Sequence, residues 1–71
     1  MKFDHSKLLG RMREKGITQE ELAAIVGIKP STLSFKLNGR SKFTTNEILA
    51  ICDALGILPD AIPKYFFAIK V

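Results

Sequence analysis

Seventy-one residues with a formal net charge of +4 form one domain, too short for a deep core, for which dimerisation is one route to added stability. No stretch approaches the roughly 20 apolar residues of a membrane span, and Met1 to His5 lacks the apolar run of a signal peptide, so the expected location is the cytoplasm. One cysteine and one histidine exclude an internal disulfide framework and a self-contained zinc site.

The first predicted helix runs from Ser6 to Lys15, capped by Asp4 or Ser6 and stopped by Gly16, with Leu8, Leu9 and Met12 facing the core. Gly10 weakens it slightly. His5 is expected at the surface beside it. Arg11, Arg13 and Lys15 stand among Glu14, Glu20 and Glu21, where local ion pairs of little energetic weight are expected.

Thr18 followed by Glu21 is a capping box, so a second helix begins at about Gln19. Leu22, Ile25 and Val26 recur at i, i+3, i+4 and give it one apolar stripe. Pro30 suits the first position of a third helix and pushes Lys29 out of the α region. Leu33 and Leu37 form its inward face, and Asn38-Gly39 ends it. A small residue at Ala23, a glycine at Gly27 that can take positive φ, and an aliphatic at Leu33 are what two helices crossing at a steep angle require.

Thr44 with Glu47 repeats the capping box and opens a fourth helix that ends at Leu55 before Gly56, with Ile48, Leu49, Ile51, Cys52 and Leu55 pointing inward. Cys52 reads as a small apolar core residue. Pro59 to Ile62 is expected to add one helical turn closed by Pro63. Charge is unevenly spread: Lys29, Lys36, Arg40 and Lys42 lie in an interval from Glu21 to Glu47 without any intervening acid, whereas Glu47 to Pro63 holds no base. A positive face on the third helix and its following loop would attract phosphates.

From about Ser6 to Ile62 the chain resembles the lambda repressor-like helix-turn-helix fold of the Cro/C1 family. The likeness rests on ITQEELA at 17 to 23, VGI at 26 to 28, STLSFKLNGR at 31 to 40 and LAICDALGI at 49 to 57. With its ending IPKYFF, the short chain looks most like the small Cro-type repressors of temperate phages and prophages. The resemblance implies an all-α, compact domain of four to five helices at residues 1–63, followed by an extended apolar tail at 64–71. It further implies a sequence-specific transcriptional repressor in a bacterial host cell, binding a palindromic or pseudo-palindromic operator in double-stranded DNA as a homodimer, with its third helix in the major groove.

On that likeness, Lys29, Pro30, Ser31, Ser34 and Phe35 are the base-facing residues, and Gln19, Lys36, Asn38, Arg40, Lys42 and Thr44 are the phosphate contacts. Phosphate contacts fix register and base contacts choose sequence. The chain departs from the family at the groove: proline, serines and phenylalanine replace the glutamine, asparagine or arginine that make bidentate bonds to purines. Phe35 would touch a thymine methyl, with DNA shape supplying further discrimination. Its alternative place is the core, folded back over the junction of the first and third helices.

Tyr65, Phe66, Phe67, Ile69 and Val71 make the tail too apolar to extend into water. It either reaches a second subunit and builds the dimer interface or folds back on its own domain. No serine, histidine and acid constellation, paired carboxylates or glycine-rich phosphate loop points to an enzyme, and no cofactor, metal or small-molecule effector is implied. The rival reading is a protein-interaction module on the same fold, such as an antitoxin or a transcription-machinery adaptor, in which Phe35 and the tail meet a protein.

Overall fold

The computed structural model describes residues 2–70, and the expected interface residue Val71 lies outside them. Five α-helices follow one another: α1 (Ser6–Lys15), α2 (Gln19–Val26), α3 (Pro30–Leu37), α4 (Thr45–Leu55) and α5 (Ile62–Phe66), with a 3₁₀ turn at Pro59–Ala61 leading into the last.

The helix limits come from cap chemistry. In both capping boxes the threonine hydroxyl accepts from the backbone of the glutamate (Thr18 from Glu21 N–H at 3.1 Å, Thr44 from Glu47 N–H at 3.2 Å). The glutamate carboxylate returns the bond to the threonine N–H at 2.9 and 2.8 Å. At α1 the N-cap is His5, which makes no side-chain cap bond, rather than the expected Asp4 or Ser6; the Asp4 carboxylate accepts from the N–H of Ser6, the first helical residue, at 2.9 Å. That bond holds the Asp4 carboxyl below its ordinary value, and the Thr18 backbone does the same for Glu21.

Three helices end alike, on the pairs Gly16-Ile17, Gly27-Ile28 and Gly56-Ile57. Each glycine is left-handed, with φ of 67°, 86° and 66°. Each isoleucine N–H bonds the carbonyl five residues back, at Met12, Ala23 and Cys52. The isoleucine then packs against the core, which completes the glycine C-cap with its usual apolar contact.

Leu8, Met12, Leu22, Ala23, Leu33, Leu37, Ile51, Cys52, Leu55, Ile57 and Phe66 form the buried core. Packing of α2 on both α3 and α4, and of α1 on α4 and α5, surrounds it. Burial raises the pKa of the Cys52 thiol, consistent with a packing role. Arg11 bridges distant parts of the bundle, its Nε donating to Leu55 O at the end of α4 at 2.9 Å.

Several expectations are corrected. Ile25 and Leu49 are 54% and 56% exposed rather than inward, because α2 and α4 are each covered on one narrower face. His5 is buried, not at the surface; its Nδ1–H donates to Leu37 O at 3.2 Å, and its ring meets Phe43 edge-on at 5.3 Å. Pro63 does not close the last turn but sits in the first turn of α5, where its missing N–H has no intrahelical partner to lose.

The tail is corrected furthest. The boundary expected between residues 63 and 64 falls inside α5, so Tyr65 and Phe66 are helical rather than extended. Phe66 is 1% exposed and belongs to its own core, which removes it from any dimer interface. Beyond it the chain turns back along the N-terminus: Asp4 N–H donates to Ala68 O at 2.7 Å, and Lys70 N–H to Lys2 O at 2.9 Å. Ile69 faces Phe3 across this antiparallel bridge. The segment folds back on its own domain, with Phe67 and Ile69 about half exposed at its edge.

Candidate interaction face

The three residues Gly27 to Lys29 turn the chain from α2 into α3. Lys29 is in extended conformation, with φ −70° and ψ 146°, as a residue before proline must be. Leu33 and Leu37 are buried, so α3 turns its other side outward. There Pro30, Ser31, Phe35 and Asn38 are exposed and Ser34 is half-buried. Phe35 is 55% exposed, which rules out its alternative place in the core.

Arg40 folds back over Phe35, its guanidinium carbon 5.8 Å from the ring centroid. The backbone assists: Arg40 N–H donates to Phe35 O at 2.9 Å, and Gly39 takes φ 78° to make that bend. A cation over an aromatic face is worth about 0.5–1 kcal/mol when exposed, enough to hold the pair together and too little to resist displacement by a ligand.

Lys36, expected as a phosphate contact, is committed elsewhere. Its Nζ lies 2.5 Å from Glu47 Oε1, with the two side chains 9% and 13% exposed. The same oxygen accepts the Thr44 N–H. Burial pushes the Glu47 carboxyl up, but the bonds from Lys36 and Thr44 and the lysine's charge outweigh it and hold the pKa below its ordinary value. The lysine's charge is thus spent inside the protein, joining the end of α3 to the start of α4.

Thr44 is likewise constrained, its N–H and hydroxyl oxygen both engaged in the capping box. Gln19 is exposed at the first position of α2. The exposed Glu20 and Glu21 share that first turn, and their charge opposes the phosphate that the helix dipole would attract. Lys29, Arg40 and Lys42 remain as exposed cations of the face, with Asn38 beside them as an uncharged donor.

The residues brought together are therefore Phe35 and Arg40, with Asn38 and Lys42 exposed on the same stretch of chain. The groove-facing positions Pro30, Ser31, Ser34 and Phe35 carry no bidentate base reader, as the sequence already indicated. Sequence reasoning missed two residues that build this face. His5 fixes the C-terminal end of α3 through the Leu37 carbonyl, 32 positions away, with no local signal. The Lys36 pairing had one signal: Lys36 lies three residues after Leu33 and one before Leu37, at the margin of the inward face.

A family described as "Protein of unknown function (DUF739)" matches residues 1–69. Among solved structures, the chain is similar to the modulator of repression (MOR) of the temperate bacteriophage TP901-1 from Lactococcus lactis. The two share 42% sequence identity with a TM-score of 0.78, over 100% of this chain and 96% of that one. No curated protein matches.

Proposed function

The chain belongs to the DUF739 family, and from that premise we propose that it is a phage-type regulator that modulates repression by binding a regulatory protein. The docking face is the outer side of α3 with the loop after it. Phe35 is the apolar centre, Arg40 and Lys42 are the charged rim, and the role is non-catalytic. The solved relative's name as a modulator of repression supports this reading. The observation that carries it is the 55% exposed Phe35 ring under Arg40, where a reader of bases would hold a long polar side chain. Interfaces of this kind centre on aromatic and arginine anchors within a polar rim.

The test uses the repressor of the same phage or prophage. Adding this protein to a repressor–operator complex, followed by fluorescence anisotropy of the DNA, is expected to change the repressor's operator affinity. Phe35→Ala is expected to abolish the change. An unaltered repressor–operator affinity at micromolar concentrations of this protein would overturn the proposal.

A second reading is a Cro-type repressor that binds its operator directly as a homodimer. The exposed Lys29 at the α2–α3 turn, with Arg40 and Lys42 in the loop after α3, favours it. Selection from a random duplex library separates the two. A palindromic winner with half-sites about 34 Å apart supports direct operator binding, whereas weak binding without preference supports the protein partner.

A further inference from the structure

Beside the α3 face, the N-terminal stretch, the α3–α4 loop and the end of α5 enclose a cavity of about 120 Å³. Five rings surround it in sequence. Phe67 meets Phe3 edge-on at 5.6 Å, and Phe3 lies 6.4 Å from His5. His5 meets Phe43 at 5.3 Å and Phe43 meets Phe66 at 5.5 Å, both nearly perpendicular. Ser41 and Lys42 stand at its mouth, both exposed.

The box is preformed. Phe66 is anchored in the core, His5 is held by Leu37 O, and the paired termini fix Phe3 against Phe67. Protein interiors leave few voids larger than a water molecule, because unfilled apolar space forfeits contacts on every wall. This box opens to the surface beside the exposed Ser41 and Lys42, so the contacts its walls forgo are regained when an apolar group enters from outside.

Resting on the protein-partner reading above, we infer that this box receives one aromatic side chain from an acidic segment of the partner. Size fits: an apolar cavity of about 150 Å³ accommodates benzene, and this one is open at the mouth. Ring edges and faces around the space match the offset and perpendicular contacts that aromatic side chains prefer. Charge then sets the flanks. Lys42 at the mouth and Arg40 on the same loop favour carboxylates beside the anchor. With no carboxylate among the lining residues, the box lacks the counter-charge that an ammonium group would need beside Lys42.

The probe for the box is toluene, the phenylalanine side chain in free form, followed by amide ¹H–¹⁵N spectra. Saturable shifts confined to the lining residues 3, 5, 39, 41, 42, 43, 48, 66 and 67 are expected. Ser41→Leu, at an exposed loop position of ordinary backbone conformation, is expected to block the mouth, abolish the toluene shifts and weaken repressor binding at least tenfold. A spectrum as dispersed as that of the unsubstituted protein certifies the fold of the variant.

Absent or scattered toluene shifts would overturn the inference while leaving the docking of a repressor on α3 intact. Equal repressor affinity for the Ser41→Leu variant and the unsubstituted protein would also overturn the anchor alone. Failure of the unsubstituted protein to bind the repressor would overturn the docking reading and the anchor together. A short single-stranded oligonucleotide that displaces toluene from the same amides would overturn it in favour of a nucleobase.

Discussion

Replacing Lys36 by methionine keeps most of the apolar stem and removes only the charge that Glu47 faces at 2.5 Å. With both side chains nearly buried, 9% and 13% exposed, the orphaned carboxylate keeps the Thr44 N–H but loses its counter-ion. Breaking one side of such a pair costs about 3–5 kcal/mol. The retained Thr44 bond places the expected loss near the low end, about 3 kcal/mol, or roughly 12–24 °C in Tm for a domain of this length. Since such a chain has only about 4–10 kcal/mol of stability, the variant should be largely folded at 25 °C and near its limit at 37 °C. Urea unfolding followed by circular dichroism measures the loss. The double variant Lys36→Met with Glu47→Gln should recover most of it, because it removes the uncompensated charge and keeps an acceptor for the Thr44 N–H. A loss under about 1 kcal/mol, with no coupling in the double-mutant cycle, would refute the reasoning. Lys36 would then be free to serve as the phosphate contact that the sequence led one to expect.

Glu47 also sets a pH dependence. Its folded pKa lies below the unfolded value, so the stability it supplies is complete above the unfolded value and disappears as pH falls through the folded one. Glu47→Gln should therefore lose stability less steeply than the unsubstituted protein between about pH 5 and 3; parallel loss in acid denaturation would contradict the shift. Phe66→Ala should cost about 3–5 kcal/mol, with a Tm independent of protein concentration. A Tm that rises with concentration would return the ring to a dimer interface. Binding to random duplex DNA by three free cations, Lys29, Arg40 and Lys42, should fall only about 40-fold between 50 and 200 mM salt. A fall of a thousandfold or more would require twice as many phosphate contacts and would speak against the protein partner.

Helix limits were legible because cap chemistry is local. Thr18 with Glu21, Thr44 with Glu47, Pro30 and the glycines at Gly16, Gly27 and Gly56 each act within a few residues, and all lie where the sequence puts them. Pro63 misled because proline serves at either end of a helix. Read as a terminator, it left Tyr65 and Phe66 to an extended tail, when it lies in the first turn of α5. His5 and Lys36 were illegible for another reason. Their partners, the Leu37 carbonyl and Glu47, are brought to them only by tertiary packing. At the candidate face, the outward direction of Pro30, Ser31, Phe35 and Asn38 followed from the burial of Leu33 and Leu37. Where the charge of Lys36 goes did not follow.

On the proposed protein-partner reading, the Glu47 oxygen that takes both Lys36 and Thr44 turns this face toward a protein surface rather than a groove. It ties the last turn of α3, the following loop and the first turn of α4 into one body. His5 fixes that body's other side by holding Leu37 O. Phe35 and Arg40 are therefore presented on a backbone with little freedom left to lose, which lowers the entropic cost of association. The same bonds withdraw a cation and a backbone donor from any phosphate, leaving Lys29, Arg40 and Lys42 exposed, with Arg40 over the Phe35 ring. DNA affinity rests on the number of phosphates neutralised, whereas protein affinity rests on a few buried anchors. The pairing that stabilises the end of α3 thus moves the balance of this surface from phosphate contacts toward aromatic ones.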